Sequence, residues 1–550
     1  MEGLLRHRTP PPRARRLEEL LTRPLDVLVV GGGVTGAGIA LDLVARGLSA
    51  GLVERGDWAG ATSSASSSLV HGGLRYLEQL ELGLVRESCL ERGFLLRNAA
   101  GFVWPERFTF PVRRGDRVGR ARLLAGLWLY TAVSLPRALG LPRALSAAEV
   151  ARRIPGMDPA RLRGGGGYLD GATDDARLTL AIVLTALSRG ALPVSRLELL
   201  ALEAGSRGVA ALLLDRLDQS RHEVRARAAV LAGGPFTDRL RSCAGLAGAW
   251  VRPTRGSHLA LPREALPTDG AVIFPSPVDG RVLFLLPTPT MTILGTTDLD
   301  ADPAAEVRAT AAEVDYLLAS AQDLVPGARL GREDVLVTWS GLRPLLATNG
   351  RAPSARSREE RAEREGPIWT IAGGKLTAWR ATAEKLGARL AAWLERGDCD
   401  PRSPTRGILL RGARPHRARR PTWSALGPEG TIPAPRDPLS EARDRRYGRL
   451  APAVAAFAAA RPGGESSLGA DTQLGEVDWA VAHEDCLSAA DFLFRRTKLA
   501  LAPRARAQAA GEAVIGRLAD LAGWDEPRRV EERRALGAAI ARLHAWREDP

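Results

Sequence analysis

The sequence predicts an α/β protein that ends in a helical domain, and three observations carry the prediction. A glycine-rich turn joins a short apolar strand to a helix near the start of the chain. Strand-like and helix-like stretches then alternate to about residue 393. Beyond residue 446, apolar residues recur at helical spacing.

The first unit is the most explicit. Asp26-Val27-Leu28-Val29-Val30 reads as a buried parallel strand. Gly31-Gly32-Gly33-Val34-Thr35-Gly36 follows at once and fits GxGxxG, and a helix pattern with Ala40, Leu41 and Val44 on one side comes next. A second strand, Ser49 to Val53, ends in Glu54. Gly31 permits the tight turn, Gly33 lets backbone approach a pyrophosphate, and Gly36 lets helix and strand pack closely. The helix N-terminus then faces phosphates, and Glu54 can accept hydrogen bonds from a ribose. A glutamate here argues against a 2′-phosphate. The fingerprint specifies a dinucleotide without choosing between NAD and FAD. The next segment, Thr62-Ser63-Ser64-Ala65-Ser66-Ser67-Ser68 before His71-Gly72-Gly73-Leu74-Arg75-Tyr76, offers hydroxyl donors to a second phosphate and a polyhydroxyl chain. FAD carries both.

The rest of the chain sets boundaries. The expected division is a disordered basic arm over residues 1–24, a cofactor domain interleaved with a substrate domain over 25–399, a Pro/Arg-rich linker over 400–446, and a helical domain over 447–550. In the last, Val514, Leu518 and Leu521 recur at i, i+4, i+7, as do Leu536, Ile540 and Leu543. No secretory signal is visible, and no apolar run reaches the roughly 18 residues that span a bilayer. The segment from Leu123 to Pro136, with Trp128 and Tyr130, has the length of a buried helix or one at a membrane surface. Cys89, Cys243, Cys399 and Cys486 lack metal or disulfide spacing, so neither a metal nor a disulfide framework is expected and the cytoplasm is the expected compartment.

The net charge is +14, which concentrates anions around the protein. No aromatic-interleaved basic stripe or recognition motif points to nucleic acid. Only three of the 77 basic residues are lysines, Lys375, Lys385 and Lys498, so each is a candidate for a place that favours an ammonium over a guanidinium.

Residues Gly31 to Leu77, with their GxGxxG turn, serine run and His71-Gly72-Gly73-Leu74-Arg75-Tyr76, resemble the amino-terminal signature of FAD-dependent glycerol-3-phosphate dehydrogenases. Further motifs follow in order: Asp174-Asp175-Ala176-Arg177-Leu178, Arg255-Gly256-Ser257-His258, Gly295-Thr296-Thr297-Asp298, Ser340-Gly341-Leu342-Arg343-Pro344-Leu345 and Gly373-Gly374-Lys375-Leu376-Thr377. Asp478-Trp479-Ala480-Val481 and Arg495-Arg496-Thr497-Lys498 resemble that family's C-terminal helical domain. The chain departs from the family pattern at Gly233 and Phe236, at Leu286, at Ala378-Trp379 and at Glu360. The resemblance implies a glutathione-reductase-type FAD-binding Rossmann domain with an inserted antiparallel substrate-binding sheet and an all-helical C-terminal domain. It also implies oxidation of glycerol 3-phosphate to dihydroxyacetone phosphate, with electrons passed to a quinone. Peripheral attachment to the inner face of the cell membrane and homodimeric assembly complete the expectation.

Such chemistry needs a hydride acceptor, a base and a grip on a doubly charged phosphate. Arg75, Arg343 and Arg358, with Tyr76 and Lys375, are the substrate-binding candidates, because a guanidinium fork matches phosphate. His258 and His71 are alternative bases. Arg343 and Lys375 are candidates for stabilising negative charge during reaction. The cofactor candidates are Gly31, Gly33, Thr35, Gly36, Glu54, Arg55, Thr62, Ser63, Ser64, Ser68, His71, Gly72, Gly233, Gly374, Lys375, Leu376 and Thr377. Asp298 and Asp174 read at least as well as a turn aspartate and a helix cap as they do as catalytic groups.

Overall fold

The structure is a computed structural model that describes residues 10–77, 81–135, 137–347, 360–395, 403–415, 437–469 and 471–549. Two sheets form its body. In the first, Leu25–Val30 lies between Ala50–Glu54 and Arg221–Leu231, parallel to both. Leu192–Ser195 and Ile368–Gly373 extend the sheet in parallel on either side, and Glu360–Glu365 closes one edge antiparallel. After Asp26 at its start the central strand is apolar, because both faces are covered. Val27 and Val29 pack against the helices Val34–Ala45, Asp175–Ser188 and Trp379–Trp393. Leu28 and Val30 pack against the hairpin Leu197–Gly205 and Gly208–Asp215. That hairpin pairs antiparallel with the first half of Arg221–Leu231, so one long strand serves both.

The second sheet has ten strands and is mainly antiparallel, as expected for the insertion. One pair among the described strands is parallel, Ala271–Pro275 with Val103–Arg113. Its strand Thr254–Pro262 lies between Met291–Gly295 and Val337–Arg343. This places the RGSH, GTTD and SGLR motifs side by side, although they are far apart in sequence.

The last part of the chain contains the helices Pro438–Tyr447, Ala451–Ala459, Gly475–Glu484, Arg504–Ala522 and Glu526–Arg542. Val514, Leu518, Leu536, Ile540 and Leu543 are buried together, but Leu521 is 43% exposed. The domain expected to be all-helical also carries a two-stranded hairpin, Ser467–Gly469 with Thr472–Gln473. Arg446 donates to Thr472 Oγ1 and to Glu476, fixing this hairpin to the helix that follows it.

Two boundaries differ from expectation. Arg13–Thr22, placed in a disordered arm, is a helix. Leu20 and Arg16 are each 1% exposed, and Arg16 donates to Pro193 O at 2.9 Å and pairs with Asp485 at 2.5 Å. Its high Arg and Pro content masked a short apolar face whose burial orders the segment. Residues 1–9 lie outside the described residues. In the expected linker, Ser403 and Thr405 are buried and Ser403 donates to Asp42. The helix Pro438–Tyr447 begins inside the linker, with Asp437 capping it and proline at its first turn.

Candidate active site

The parallel strands of the first sheet all end at one edge. There Val30 leads into Gly31, the second strand ends at Glu54, Leu231 leads to Gly233, and Gly373 leads to Lys375. In open α/β sheets this is the edge that receives a ligand. A cleft of about 1650 Å3 opens along it and runs over the second sheet to the helical domain. Its walls include Gly31, Gly33, Thr35, Glu54, Arg55, the turn Thr62–Ser68, His71, Gly233, His258, Arg343 and Gly374 to Thr377.

The first turn is built for close approach. Gly31 has φ +119°, and a Cβ there would lie 2.4 Å from the Ala232 carbonyl oxygen. A Cβ on Gly36 would lie 1.9 Å from the Gly31 carbonyl oxygen. Only glycine fits either place, so backbone amides and the start of the helix Val34–Ala45 face the cleft bare. Glu54 accepts from Gly32 N and Gly56 N, both at 2.7 Å. Burial raises the pKa of its carboxyl, while the two amides act in the opposite direction. Arg55 stands over the Phe236 ring at 5.5 Å. These groups fit the phosphates and ribose of a dinucleotide.

The serine turn forms the next wall. Ser63 Oγ accepts from Val34 N at 3.0 Å, at the helix N-terminus. Thr62 donates to Leu342 O at 2.6 Å, tying the turn to the second sheet, and Ser64 donates to Ala61 O. Ser68 has φ +54°. His71 Nδ1 accepts from Gly73 N at 3.0 Å, and Thr377 donates to the His71 carbonyl at 3.4 Å. Gly72 donates to Asp170 and has no room for a side chain: a Cβ would lie 2.2 Å from the Tyr130 hydroxyl.

The second sheet contributes His258 and Arg343. His258 is 3% exposed and stacks on Trp339, its cross-strand partner, with ring centroids 5.3 Å apart. Gly295, opposite on the other side, leaves space for the ring: a Cβ there would lie 2.3 Å from it. His258 Nε2 and the Ser67 hydroxyl are 2.9 Å apart. Burial, with the neighbouring Arg343 charge, lowers the His258 pKa from 6.5 to about 3. Arg343 donates to Asp298 at 2.9 Å, to Thr296 Oγ1 at 2.9 Å and to Thr297 O at 3.0 Å. Arg281 also pairs with Asp298, at 3.1 Å. Arg281 pairs with Asp279 as well, at 3.4 Å. Burial disfavours the Asp298 anion, but Arg343 and Arg281 outweigh it and hold its pKa below the usual carboxylate value. Gly256 supplies the notch for Arg343, whose Nη2 would lie 2.1 Å from a Cβ there.

Lys375 follows Gly373 (φ +81°) and Gly374 (φ +93°), and the half-buried residue lines the cleft. Leu376 and Thr377 begin the 3₁₀ turn that leads into the helix Trp379–Trp393. Trp379 packs onto Gly38 of the helix Val34–Ala45. Glu360, a departure from the family pattern, pairs with Lys385 at 2.8 Å. Asp174 caps the helix Asp175–Ser188, accepting from Arg177 N.

Most candidates of both sheets therefore meet in one cleft, whereas Gly36 and Gly72 lie behind its wall. Arg358 lies outside the described residues, as do the side chains of Arg75 and Tyr76. Sequence reasoning passed over Ser67, Trp339 and Asp298 as partners of the site. Alternation along a strand could have indicated Trp339, but nothing local pairs Ser67 with a histidine 191 positions away.

Residues 26–375 match the family model of the FAD dependent oxidoreductases, and residues 437–529 match the C-terminal domain of alpha-glycerophosphate oxidase. The aerobic glycerol-3-phosphate dehydrogenase of Bacillus subtilis (strain 168) is 36% identical over 379 residues, 68% of this chain and 68% of that protein. The enzyme of the same name from Staphylococcus aureus (strain USA300) is 33% identical over 399 residues, 70% of this chain and 71% of that protein. A solved glycerol-3-phosphate dehydrogenase from Bacillus halodurans, complexed with FAD, superposes with a TM-score of 0.77 at 28% identity, covering 96% of this chain and 97% of that one. The L-alpha-glycerophosphate oxidase from Mycoplasma pneumoniae, with FAD bound, shares the fold at 18% identity and a TM-score of 0.53, covering 70% of this chain and 98% of that one.

Proposed function

Since the chain belongs to the FAD-dependent glycerol-3-phosphate dehydrogenase family, we propose that its cleft oxidises the secondary alcohol of sn-glycerol 3-phosphate to dihydroxyacetone phosphate and delivers the electrons to a quinone. FAD is the cofactor, and when bound it supplies the hydride acceptor at flavin N5. The observation that carries the reading is the meeting of a dinucleotide turn with His258, Arg343 and Lys375 in one cleft.

In this reading Gly31, Gly33 and the helix N-terminus at Val34 take the pyrophosphate, and Glu54 takes a ribose. Arg343, fixed by Asp298 and Thr296, attracts the anionic substrate and stabilises charge developing on its oxygen. Lys375 adds a second cation to the cleft. His258 takes the hydroxyl proton. His71, whose Nδ1 accepts from Gly73 N, is the alternative base.

Purified protein is expected to be yellow and to bleach anaerobically on addition of glycerol 3-phosphate, but not of glycerol. A yellow protein indifferent to glycerol 3-phosphate would sink the substrate assignment. His258→Ala is expected to lower kcat about 10²-fold, and near-normal turnover would remove His258 as the base.

The imidazole also makes a prediction about pH. Its folded pKa of about 3 lies below the ordinary imidazole value of 6.5. The neutral ring therefore contributes stability that is present above pH 6.5 and is lost as pH falls from there toward 3. Nitrogen NMR of the substrate-free protein should show His258 neutral from pH 7.5 down to 5.5 (a window of about two units set by the same linkage). A titration centred near 6.5 contradicts this.

The helix Arg120–Val133 supports the membrane part of the proposal. It buries Leu123, Leu127 and Tyr130 but exposes Trp128 (52%) and Leu129 (44%), and Leu135 (51%) follows in the next turn. Among the described residues no helix is long and apolar enough to cross a membrane. Trp128→Ser/Leu129→Ser is expected to weaken binding to phosphatidylglycerol vesicles about tenfold, and unchanged binding would refute this contact. The acceptor is tested by comparing reduction of a soluble quinone with hydrogen peroxide formation. Stoichiometric peroxide would favour an oxidase.

A further inference from the structure

Lys498 belongs to the helical domain yet lines the cleft. It donates to Asp175 Oδ1 at 3.3 Å and lies 3.7 Å from Asp174. Burial disfavours its charge, but the two aspartates outweigh this and raise its pKa. The other oxygen of Asp175 accepts from Ser66 N at 2.9 Å and from the Ser66 hydroxyl at 2.7 Å. Ser66 Oγ in turn accepts from Ser68 N at 3.0 Å. The ammonium thus holds, through one aspartate, the serine turn that walls the cleft.

Two residues earlier the same segment grips the opposite wall. Arg496 is 1% exposed and makes a bidentate pair with Asp57, at 2.7 and 2.8 Å. Arg495 reaches the same carboxylate at 2.5 Å and is itself held by Asp491. Asp57 opens the turn that rests on the dinucleotide loop. Ala59 N donates to Gly32 O at 3.0 Å, and a Cβ on Gly32 would lie 2.6 Å from the Trp58 ring. Planar forks suit the buried carboxylate, and a compact ammonium suits the aspartate pair at the rim.

We infer that the segment Arg495, Arg496 and Lys498 positions both walls of the FAD cleft, so that retention of the cofactor depends on the docked helical domain. None of the three needs to touch the cofactor. They act by pre-ordering walls that binding would otherwise have to order, a cost that appears as lost affinity. The inference rests on reading the cleft as the FAD site.

The test uses the full-length chain, stripped of FAD and titrated with FAD by flavin fluorescence. Lys498→Met and the paired Asp57→Asn/Arg496→Met, which removes both charges of the bidentate pair and leaves Arg495 on Asp491, are each expected to bind FAD about tenfold more weakly. Lys498→Arg is expected to recover most of the affinity. The Lys498→Met apoprotein should melt at the wild-type temperature, which separates positioning from general destabilisation. FAD affinity equal to wild type in both Lys498→Met and the paired variant overturns the inference. A loss of affinity matched by a lower apoprotein melting temperature overturns it as well. Failure of the wild-type chain to bind FAD would instead overturn the underlying reading of the cleft.

Discussion

Gly36→Ala is expected to give a protein that purifies without flavin. The added methyl would sit 1.9 Å from the Gly31 carbonyl oxygen, a backbone atom that cannot rotate away. Relief requires the helix Val34–Ala45 to move off the strand Leu25–Val30, and overpacking of this kind costs about 1–3 kcal/mol or more. The displaced part is the first turn of the helix, whose amides face the pyrophosphate position. The same shift would press Gly31 toward Ala232, whose carbonyl oxygen lies 2.4 Å from where a Gly31 Cβ would be. The measurement is the ratio of flavin to protein absorbance after purification, with circular dichroism to confirm a folded chain. Wild-type flavin content would show that the turn tolerates a side chain and that the cofactor lies elsewhere.

Arg343→Lys is expected to lower kcat/KM about 10²-fold, near 2.7 kcal/mol of transition-state stabilisation, with flavin content unchanged. The guanidinium is held by three contacts in two directions, the Asp298 carboxylate and the Thr296–Thr297 turn. An ammonium has one centre and cannot reproduce that fork. It would follow Asp298 and leave the Thr296 hydroxyl and the Thr297 carbonyl without this donor. Gly256→Ala, which places a methyl 2.1 Å from Arg343 Nη2, should shift kinetics in the same direction without removing the charge. Steady-state kinetics with glycerol 3-phosphate decide it. Activity within twofold of wild type in both variants (under about 0.5 kcal/mol) would show that Arg343 only anchors the GTTD turn.

What the amino-acid order determined by itself was local and periodic. The strand, glycine turn, helix and second strand of the first unit, ending at Glu54, are written within 30 consecutive residues. Their chemistry follows from backbone sterics and helix-end charge, which need no distant partner. The Asp174 cap and the buried faces containing Val514 and Leu536 were legible for the same reason. The helix Arg13–Thr22 was not, because its order comes from burial of Leu20 and Arg16 against other parts of the chain. Composition pointed the other way.

Only the tertiary structure gave the two histidines their different surroundings. It placed His258 between Gly295 and Trp339 and beside Arg343, and it occupied His71 Nδ1 with a backbone amide. It alone tied Lys498 to Asp175, 323 positions away, and Arg496 to Asp57, 439 positions away. Such pairs leave no periodic trace, since any of many arginines and aspartates satisfies the same local pattern. Which two meet is settled by how sheets and helices pack, and burial then makes the chosen contact strong.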